Sequence, residues 1–199
     1  MKPSYFTRHP ITKDVVSLIA FVVCVVIGTV LLNAFVFRSY NVVGPSMEST
    51  MYTGDRLVVN RLAVTWSQIL GKPYLPERGQ IIVFRNPHYS QGIEDEYIVK
   101  RVIGLPGERV TLKNGSFTVY NTENPNGFNP DDFNGGEPGS PTTGEVDRVV
   151  PNNEIFVSGD HRQGNYSYDS RNGMGTIPLH DIIGPVGLRI WPLNGLRVF

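Results

Sequence analysis

Cysteine and surplus charge are what this 199-residue chain most clearly lacks. Its single cysteine, Cys24, excludes an internal disulfide and a cysteine-based zinc site, and its apolar surroundings favour a packing role. Lysine plus arginine and aspartate plus glutamate number 18 each, so the net charge is zero and nucleic acid is not an expected partner. The length suits one domain with appendages.

Beyond residue 37 the chain consists of short β-branched runs separated by turn residues. GQIIVFR, EYIVKRVIG and EIFVSGD are typical runs, and 21 glycines and 15 prolines supply turns such as PERG and LPGE. This pattern predicts many short strands in a largely antiparallel sheet system. Only the stretch VTWSQILGK has the pattern of a helical turn, so we predict a mostly β fold for this part of the chain.

A run of 23 uncharged, mostly apolar residues, 15–37, precedes these strands. A membrane-spanning helix needs about 20 such residues. The run is too long for the ~7–15-residue core of a cleavable signal peptide, and a buried soluble helix would show a polar stripe. We therefore predict a tail over 1–14, a single transmembrane anchor over 15–37 and an exported domain over 38–199.

The charges beside this run predict its orientation. Lys2, Arg8 and Lys13 precede it and only Arg38 follows it closely, so the positive-inside bias places the N-terminus in the cytoplasm. The expected location is the cell membrane, with one span and an extracellular domain.

A second unusual segment, about 121–145, is polar and almost free of aliphatic residues. Such a composition is typical of an insertion outside the core. We expect it to leave the sheet as a mobile excursion that contributes nothing to the core.

Ser46, in YNVVGPSMESTM, follows the apolar run by only nine residues, and a nucleophilic serine needs a base. The chain has four histidines, His9, His88, His161 and His180. His161 lies beside Asp160, but adjacent strand residues point to opposite faces, so a Ser-His-Asp arrangement is disfavoured.

Lys100 is the stronger candidate base. In EYIVKRVIG, strand alternation places it on one face with Ile98 and Val102, both apolar. A lysine in such a row either reaches water along the strand edge or is enclosed. Enclosure would lower its pKa, and a drop of about 3 units from ~10.4 makes a base useful near neutral pH.

Four blocks in order resemble the type I signal peptidases, membrane-anchored serine proteases that remove signal peptides from exported proteins. They are GPSMESTM (44–51), GDRLVVNRL (54–62), YIVKRVIGLPGERV (97–110) and SGDHRQGNYSYDSRNGMGTIP (158–178). Four blocks in register are far more specific than one serine–methionine pair. The single anchor, the short length and the glycine at position 44 are most similar to the Gram-positive type.

The resemblance implies a serine/lysine mechanism. Ser46 corresponds to the nucleophile, Lys100 to the general base, and Ser167 to the serine that hydrogen-bonds and orients the lysine. The backbone N–H of Ser46 corresponds to one oxyanion donor. The polar residues that match the family's supporting set are Arg101, Asp160, Asp169 and Arg171.

The chain departs from the family at several positions. Gly44 has no hydroxyl where some relatives carry a serine that shares the oxyanion, and Ser49 replaces the usual proline. His161 replaces an asparagine, and two extra residues precede Ser167, which leaves Ser170 as an alternative for the orienting serine.

Val42, Val43 and Met47 are either core residues or the lining of pockets for the small side chains at positions −3 and −1 of a signal peptide. The resemblance also implies the signal peptides of secreted preproteins and the lipid bilayer as partners, with a secretion translocon nearby. No cofactor and no metal is expected.

Two other functions remain open on the sequence. One is a catalytically idle relative that acts as a scaffold or chaperone in surface-protein assembly. The other is a membrane-tethered β module that only binds.

Overall fold

The computed structural model describes residues 10–92, 95–134, 138 and 141–199. Helix α1, Pro10–Phe35, is the N-terminal apolar segment, and its residues Ile11–Phe35 are long and apolar enough to cross a membrane. A proline fits the start of a helix because its missing N–H has no helical partner there. The helix begins five residues before the predicted 15–37 segment and ends two residues earlier than predicted, since Phe37 already belongs to a strand. Lys2, Arg8 and His9 of the predicted tail lie outside the described residues.

The rest of the described chain is mostly β, which confirms the predicted fold class. One short helix, α2 (Leu62–Ile69), overlaps the stretch VTWSQILGK (64–72) for which a helical turn was predicted. Short 3-10 helices cover Pro130–Asn134, Leu179–Asp181 and Leu193–Gly195. The strands are β1 Phe37–Asn41, β2 Arg56–Asn60, β3 Ile81–Arg85, β4 Tyr97–Gly104, β5 Arg109–Lys113, β6 Ser116–Tyr120, β7 Val146–Val149, β8 Glu154–Ser158, β9 Ile177–Pro178, β10 Ile182–Trp191 and β11 Arg197–Val198.

These strands form two antiparallel sheets. The larger has the order β1-β2-β10-β3-β4-β8-β9, with β11 paired to β10, and the smaller has the order β6-β5-β7. Strand β4 lies between β3 and β8, with Lys100 opposite Ile82 and Arg101 opposite Ser158. Apolar clusters pack against both faces of β4, one with Ile98 and Val102 and the other with Tyr97 and Val99, and its two adjacent basic residues are both buried.

Three apolar clusters fill the core. One includes Val64 of α2 and Val102 of β4, a second includes Met47 and Met51 of the loop after β1, and a third lies over the smaller sheet. The second cluster therefore anchors the loop that carries Ser46.

The polar segment 121–145 does contribute to the protein interior. Pro130, Asp131 and Thr142 are buried, and Phe128 forms a bridge with Val119 of β6. The expectation that this segment stays outside the core is wrong for these residues, because an ion pair of Asp131 with Arg162 and a hydrogen bond from the Thr142 N–H to the Gly115 carbonyl satisfy buried polar groups. Residues 135–137, 139 and 140 of the segment lie outside the described residues.

Candidate active site

Ser46 is carried by a tight loop between β1 and β2. Gly44 adopts a φ of +88°, a conformation that a side chain disfavours, and its N–H donates to Thr53 Oγ1 over 3.0 Å. After Ser46 the chain turns sharply, with the N–H groups of Thr50 and Met51 both donating to the carbonyl of Met47. Met47 is fully buried in the core, so it holds this turn in place and does not line the cleft described below. The expectation that it lines a substrate pocket is therefore corrected.

Lys100 reaches Ser46 from the centre of the sheet. Its Nζ lies 2.8 Å from Ser46 Oγ and 2.9 Å from the carbonyl oxygen of Val99, and the residue is only 3% exposed. Burial lowers the pKa of Lys100 from 10.5 to about 8, although the negative charges of Asp169 and Asp160 act in the opposite direction. An amine in this state can accept a proton from a hydroxyl near neutral pH.

Ser167 is buried close to this pair but has a different partner from the expected one. Its hydroxyl donates to Asp169 Oδ2 over 2.6 Å. Within the described part of the chain, the hydrogen bonds of Lys100 Nζ go to Ser46 and Val99 and not to Ser167. The alternative, Ser170, accepts the N–H of Val157 through its Oγ and is part of the strand packing. The carbonyl of Val99 thus orients the lysine in this structure.

Asp169 is the centre of a buried network. Arg171 pairs with it at 2.8 Å, and the N–H of Gly159 donates to it over 2.9 Å. Burial alone raises the pKa of Asp169, but the hydrogen bonds and charge of Arg171, together with Ser167 and Gly159, hold it below its ordinary value. Its negative charge is therefore kept beside the lysine.

Asp160 joins the strand that carries the lysine to the loop that carries the serine. Arg101 donates to both of its carboxylate oxygens, at 2.8 and 2.5 Å, and Thr50 Oγ1 donates over 2.6 Å. All three groups are buried. Sequence reasoning missed Thr50, whose contact with Asp160 spans 110 residues and leaves no local pattern. Since these bonds engage the carboxylate, Asp160 is not the partner of a catalytic histidine.

His161 lies against the backbone of the nucleophile. Its N–H donates to the carbonyl of Ser46 over 3.1 Å, and its ring Nδ1 is 3.2 Å from the carbonyl oxygen of Pro45, which can only accept. The ring stacks on Tyr166, with 4.5 Å between centroids. Among the described residues, Lys100 and not His161 is hydrogen-bonded to Ser46 Oγ.

The ring contact holds the peptide unit between Pro45 and Ser46, and the backbone bond holds the next unit, between Ser46 and Met47. In a trans peptide the C=O and N–H groups point in opposite directions, so holding the Pro45 carbonyl aims the Ser46 N–H away from His161. Gly159 makes this close approach possible, because a Cβ there would lie 2.3 Å from the Ser46 carbonyl oxygen. Sequence reasoning noted His161 only as a replaced asparagine and a disfavoured base.

A cleft of about 660 Å³ opens over the serine and the lysine. The buried Val42 and the exposed Val43 both line it. No group of three or more histidine, cysteine, aspartate or glutamate side chains suited to a metal occurs in the described part of the chain. The other lining residues are Tyr40, Asn41, Gly44, Pro45, Leu57, Val83, Asn86, Gly92, Asp95, Tyr97, Ile98, Val99, Tyr166 and Tyr168.

A serine held against a buried lysine at the edge of a cleft is the site of a candidate serine hydrolase. The sequence profile described as "Signal peptidase, peptidase S26" matches residues 13–191, and the chain belongs to this family.

Relatives in this family are similar over most of their length. Signal peptidase I P of Bacillus subtilis subsp. natto is 31% identical, over 93% of this chain and 94% of its own. Signal peptidase I of Bacillus caldolyticus is 36% identical over 87% and 89%, and signal peptidase IB of Staphylococcus aureus is 30% identical over 90% and 88%. A crystal structure of a signal peptidase I from Enterococcus faecalis has 25% identity and a TM-score of 0.41, covering 55% of this chain and 95% of that one.

Proposed function

We propose that the chain is a membrane-anchored serine endopeptidase that removes N-terminal signal peptides from exported preproteins, with Ser46 as nucleophile and neutral Lys100 as general base. The observation that carries this proposal is the 2.8 Å contact between Ser46 Oγ and the Nζ of the buried Lys100. The relatives that are named signal peptidases supply the substrate class.

The first half of the reaction forms an acyl-enzyme. Lys100 takes the hydroxyl proton of Ser46 while Oγ attacks the scissile carbonyl carbon, and the carbonyl oxygen becomes an oxyanion. The intermediate collapses when the C–N bond breaks and the ammonium of Lys100 returns its proton to the leaving amine. The new amino terminus departs with the mature protein, and the signal peptide stays on Ser46 as an ester.

The second half releases the signal peptide. Neutral Lys100 removes a proton from a water molecule, the water oxygen attacks the ester, and Ser46 Oγ leaves with that proton. The backbone N–H of Ser46 stabilises the oxyanion in both halves. Gly44 has no side chain to share this task, so a second donor comes from another group.

The supporting residues keep the two reacting groups together. Hydrogen bonds among Asp160, Arg101 and Thr50 connect the strand of the lysine to the serine loop. A second buried group supports the site, in which Asp169 binds Arg171 and Ser167. Val42 and Val43 are the residues proposed to contact the small side chains at −3 and −1, since both line the cleft.

The proposed location is the cell membrane, with helix α1 as the single span, the N-terminus in the cytoplasm and the cleft outside. Lipid bilayer, signal peptides and a nearby translocon are the proposed partners. Strand β1 follows α1 directly and its residue Asn41 already lines the cleft. Five strand residues span only about 17 Å, so the cleft lies close to the end of the helix.

The test is cleavage of a purified preprotein by the full chain in detergent. Ser46→Ala, Lys100→Ala and Lys100→Arg should each abolish cleavage, because arginine keeps the positive charge but cannot act as a base. Lys113→Ala, at an exposed lysine of β5, is the matched control and should cleave normally. Near-normal cleavage by a Ser46 or Lys100 variant contradicts the mechanism. Retained function of Ser46→Ala in cells supports the idle scaffold.

A further inference from the structure

Helix α2 is attached to the end of helix α1. The N–H of Arg61 donates to the carbonyl of Val36 over 2.8 Å, its guanidinium donates to the carbonyl of Ala34, and Thr65 Oγ1 donates to the carbonyl of Phe35 over 2.9 Å. The last carbonyls of a helix have no partner within it. The start of α2 supplies these partners, so the two helices are held together where the apolar span ends.

Helix α2 carries an apolar surface on the side that faces away from the protein core. Val64 faces the core and is 5% exposed. The opposite side, here called the outer face of α2, carries side chains that are 50–69% exposed: Leu62, Trp66, Ile69 and Leu70. Residues four and seven apart share one helix face, and a surface helix in water normally has polar residues there.

The position of this outer face identifies its partner. If α1 spans the bilayer, its C-terminal end lies at the membrane surface, and α2 is bonded to that end. Tryptophan is enriched at this depth, and Lys72, exposed just beyond α2, can reach lipid phosphates. The outer face of α2 is therefore continuous with the lipid contact of α1.

We infer that α2 lies in the plane of the membrane surface, with its outer face among the lipid headgroups and the first carbons of the acyl chains. This inference rests on the proposed membrane anchoring by α1. With two attachments, one across the bilayer and one along it, the domain cannot tilt freely. The cleft is thereby held at a constant height above the lipid, where the cleavage site of a membrane-inserted signal peptide emerges.

The direct test uses the tryptophans of the full chain, which has two. Trp191→Phe leaves Trp66 as the fluorophore, in vesicles of phosphatidylcholine and phosphatidylglycerol with brominated acyl chains. We expect blue-shifted emission that bromines near the headgroup quench strongly, bromines at the bilayer centre quench less, and aqueous acrylamide quenches little. Emission typical of water that bromolipids leave unchanged overturns the inference. Protection from both quenchers also overturns it, since a protein, such as a second copy, then covers the face.

A matched control keeps the helix and changes the face. Gln68→Trp in a background of Trp66→Phe and Trp191→Phe places the fluorophore on another exposed side of α2. Bromolipids should quench it less than they quench Trp66. Equal quenching at both positions contradicts an oriented helix.

A functional test separates this contact from catalysis. Leu62→Ser with Ile69→Ser removes exposed apolar groups, so we expect slower cleavage of a vesicle-embedded preprotein and unchanged cleavage of a short soluble peptide in detergent. Gln68→Ser is the control and should cleave both substrates like the unmodified chain. The inference is contradicted if the double variant cleaves the embedded preprotein as fast as the unmodified chain does. Release of the unmodified chain from vesicles by alkaline carbonate contradicts the proposed anchor itself. A retained chain with a water-exposed Trp66 contradicts only the contact of α2.

Discussion

Lys100 Nζ lies 2.8 Å from Ser46 Oγ, although the two residues are 54 positions apart in the chain. The lysine is on the central strand β4, and the serine is on the loop that leaves β1. Arg101, the neighbour of the lysine, pairs with Asp160, which also accepts a hydrogen bond from Thr50 of the serine loop. The contact therefore depends on bonds that run through the last block of the sequence.

The activity should depend on pH through Lys100. Its pKa of about 8 means that the amine is mostly protonated below that pH and cannot accept the serine proton. We expect kcat/KM to fall about tenfold per pH unit on the acid side and to level off above the pKa. A rate profile on a peptide without titratable groups checks this. An apparent pKa near 10.5 in this rate profile, the ordinary value for lysine, contradicts a buried base.

Replacing the lysine should make the protein more stable while it abolishes activity. A shift from 10.5 to about 8 corresponds to about 3 kcal/mol at ~1.36 kcal/mol per unit. Between these values the unfolded chain binds more protons than the folded one, so the free energy of unfolding of the unmodified protein rises with pH.

Lys100→Met should therefore unfold at higher urea than the unmodified protein at pH 7. This gain should be largest below pH about 8 and should disappear as the pH passes 10.5, the unfolded value. Lys72→Met, at an exposed position, is the control and should show no such pH-dependent gain. A destabilised Lys100→Met at pH 7 would argue against a strained, buried amine.

His161 should act as a positioning residue for the oxyanion donor. His161→Ala removes the bond to the Pro45 carbonyl and frees the peptide unit that carries the N–H of Ser46. We expect kcat to fall, by up to about 100-fold, with KM little changed, because this interaction matters most in the transition state.

His161→Asn should restore much of the rate, since its amide also donates a hydrogen bond. The position of the acid limb in the pH profile should stay the same in both variants, because Lys100 is untouched. Steady-state kinetics on a peptide substrate provides all of these measurements. A shifted limb, or an asparagine variant as slow as the alanine one, would contradict the positioning role.

The buried pair between Asp131 and Arg162 should hold the polar segment 121–145 against the last block. The two side chains are 3% and 0% exposed, with an N–O distance of 2.6 Å, and Arg162 also donates to the Gly159 carbonyl over 2.9 Å. Asp131→Ala leaves the arginine charge buried, so the free energy of unfolding should fall by about 3–5 kcal/mol.

The double variant Asp131→Ala with Arg162→Met should lose less free energy of unfolding than Asp131→Ala alone, because it also removes the unpaired arginine charge. Asp147→Ala, which breaks the solvent-exposed pair with Arg109, is the matched control and should change stability little, since water screens that pair. Urea unfolding measures all three. If Asp131→Ala behaves like Asp147→Ala, the segment is not part of the cooperative fold.

The predictions that followed a simple period agree with the structure. Alternating residues around Lys100 predicted that it shares a face with Ile98 and Val102, and both of these pack in one core cluster. The short runs bounded by turns predicted the strands, and an uncharged run predicted the apolar helix. Such patterns repeat along the chain, so a short window contains them in full.

The predictions that concerned partners across the fold were less accurate. Met47 packs in the core and does not line the cleft, whereas Val42 of the same cluster does line it. Ser167 hydrogen-bonds to Asp169 where the lysine was expected. The composition of 121–145 suggested no core residues, but a buried ion pair accommodates Asp131 there. In each case the outcome depends on groups from distant elements, which no local pattern contains.

The sequence alone predicted the apolar helix and the mostly β domain, and it singled out Ser46 and Lys100 as candidates, because periodicity, charge and motif blocks are local properties. Only the tertiary structure decided that Lys100 is buried away from water, that it contacts Ser46, and that His161 and Thr50 hold the serine loop. Burial and hydrogen bonding are properties of chain segments brought together by folding. The lowered pKa of Lys100 is set by that enclosure.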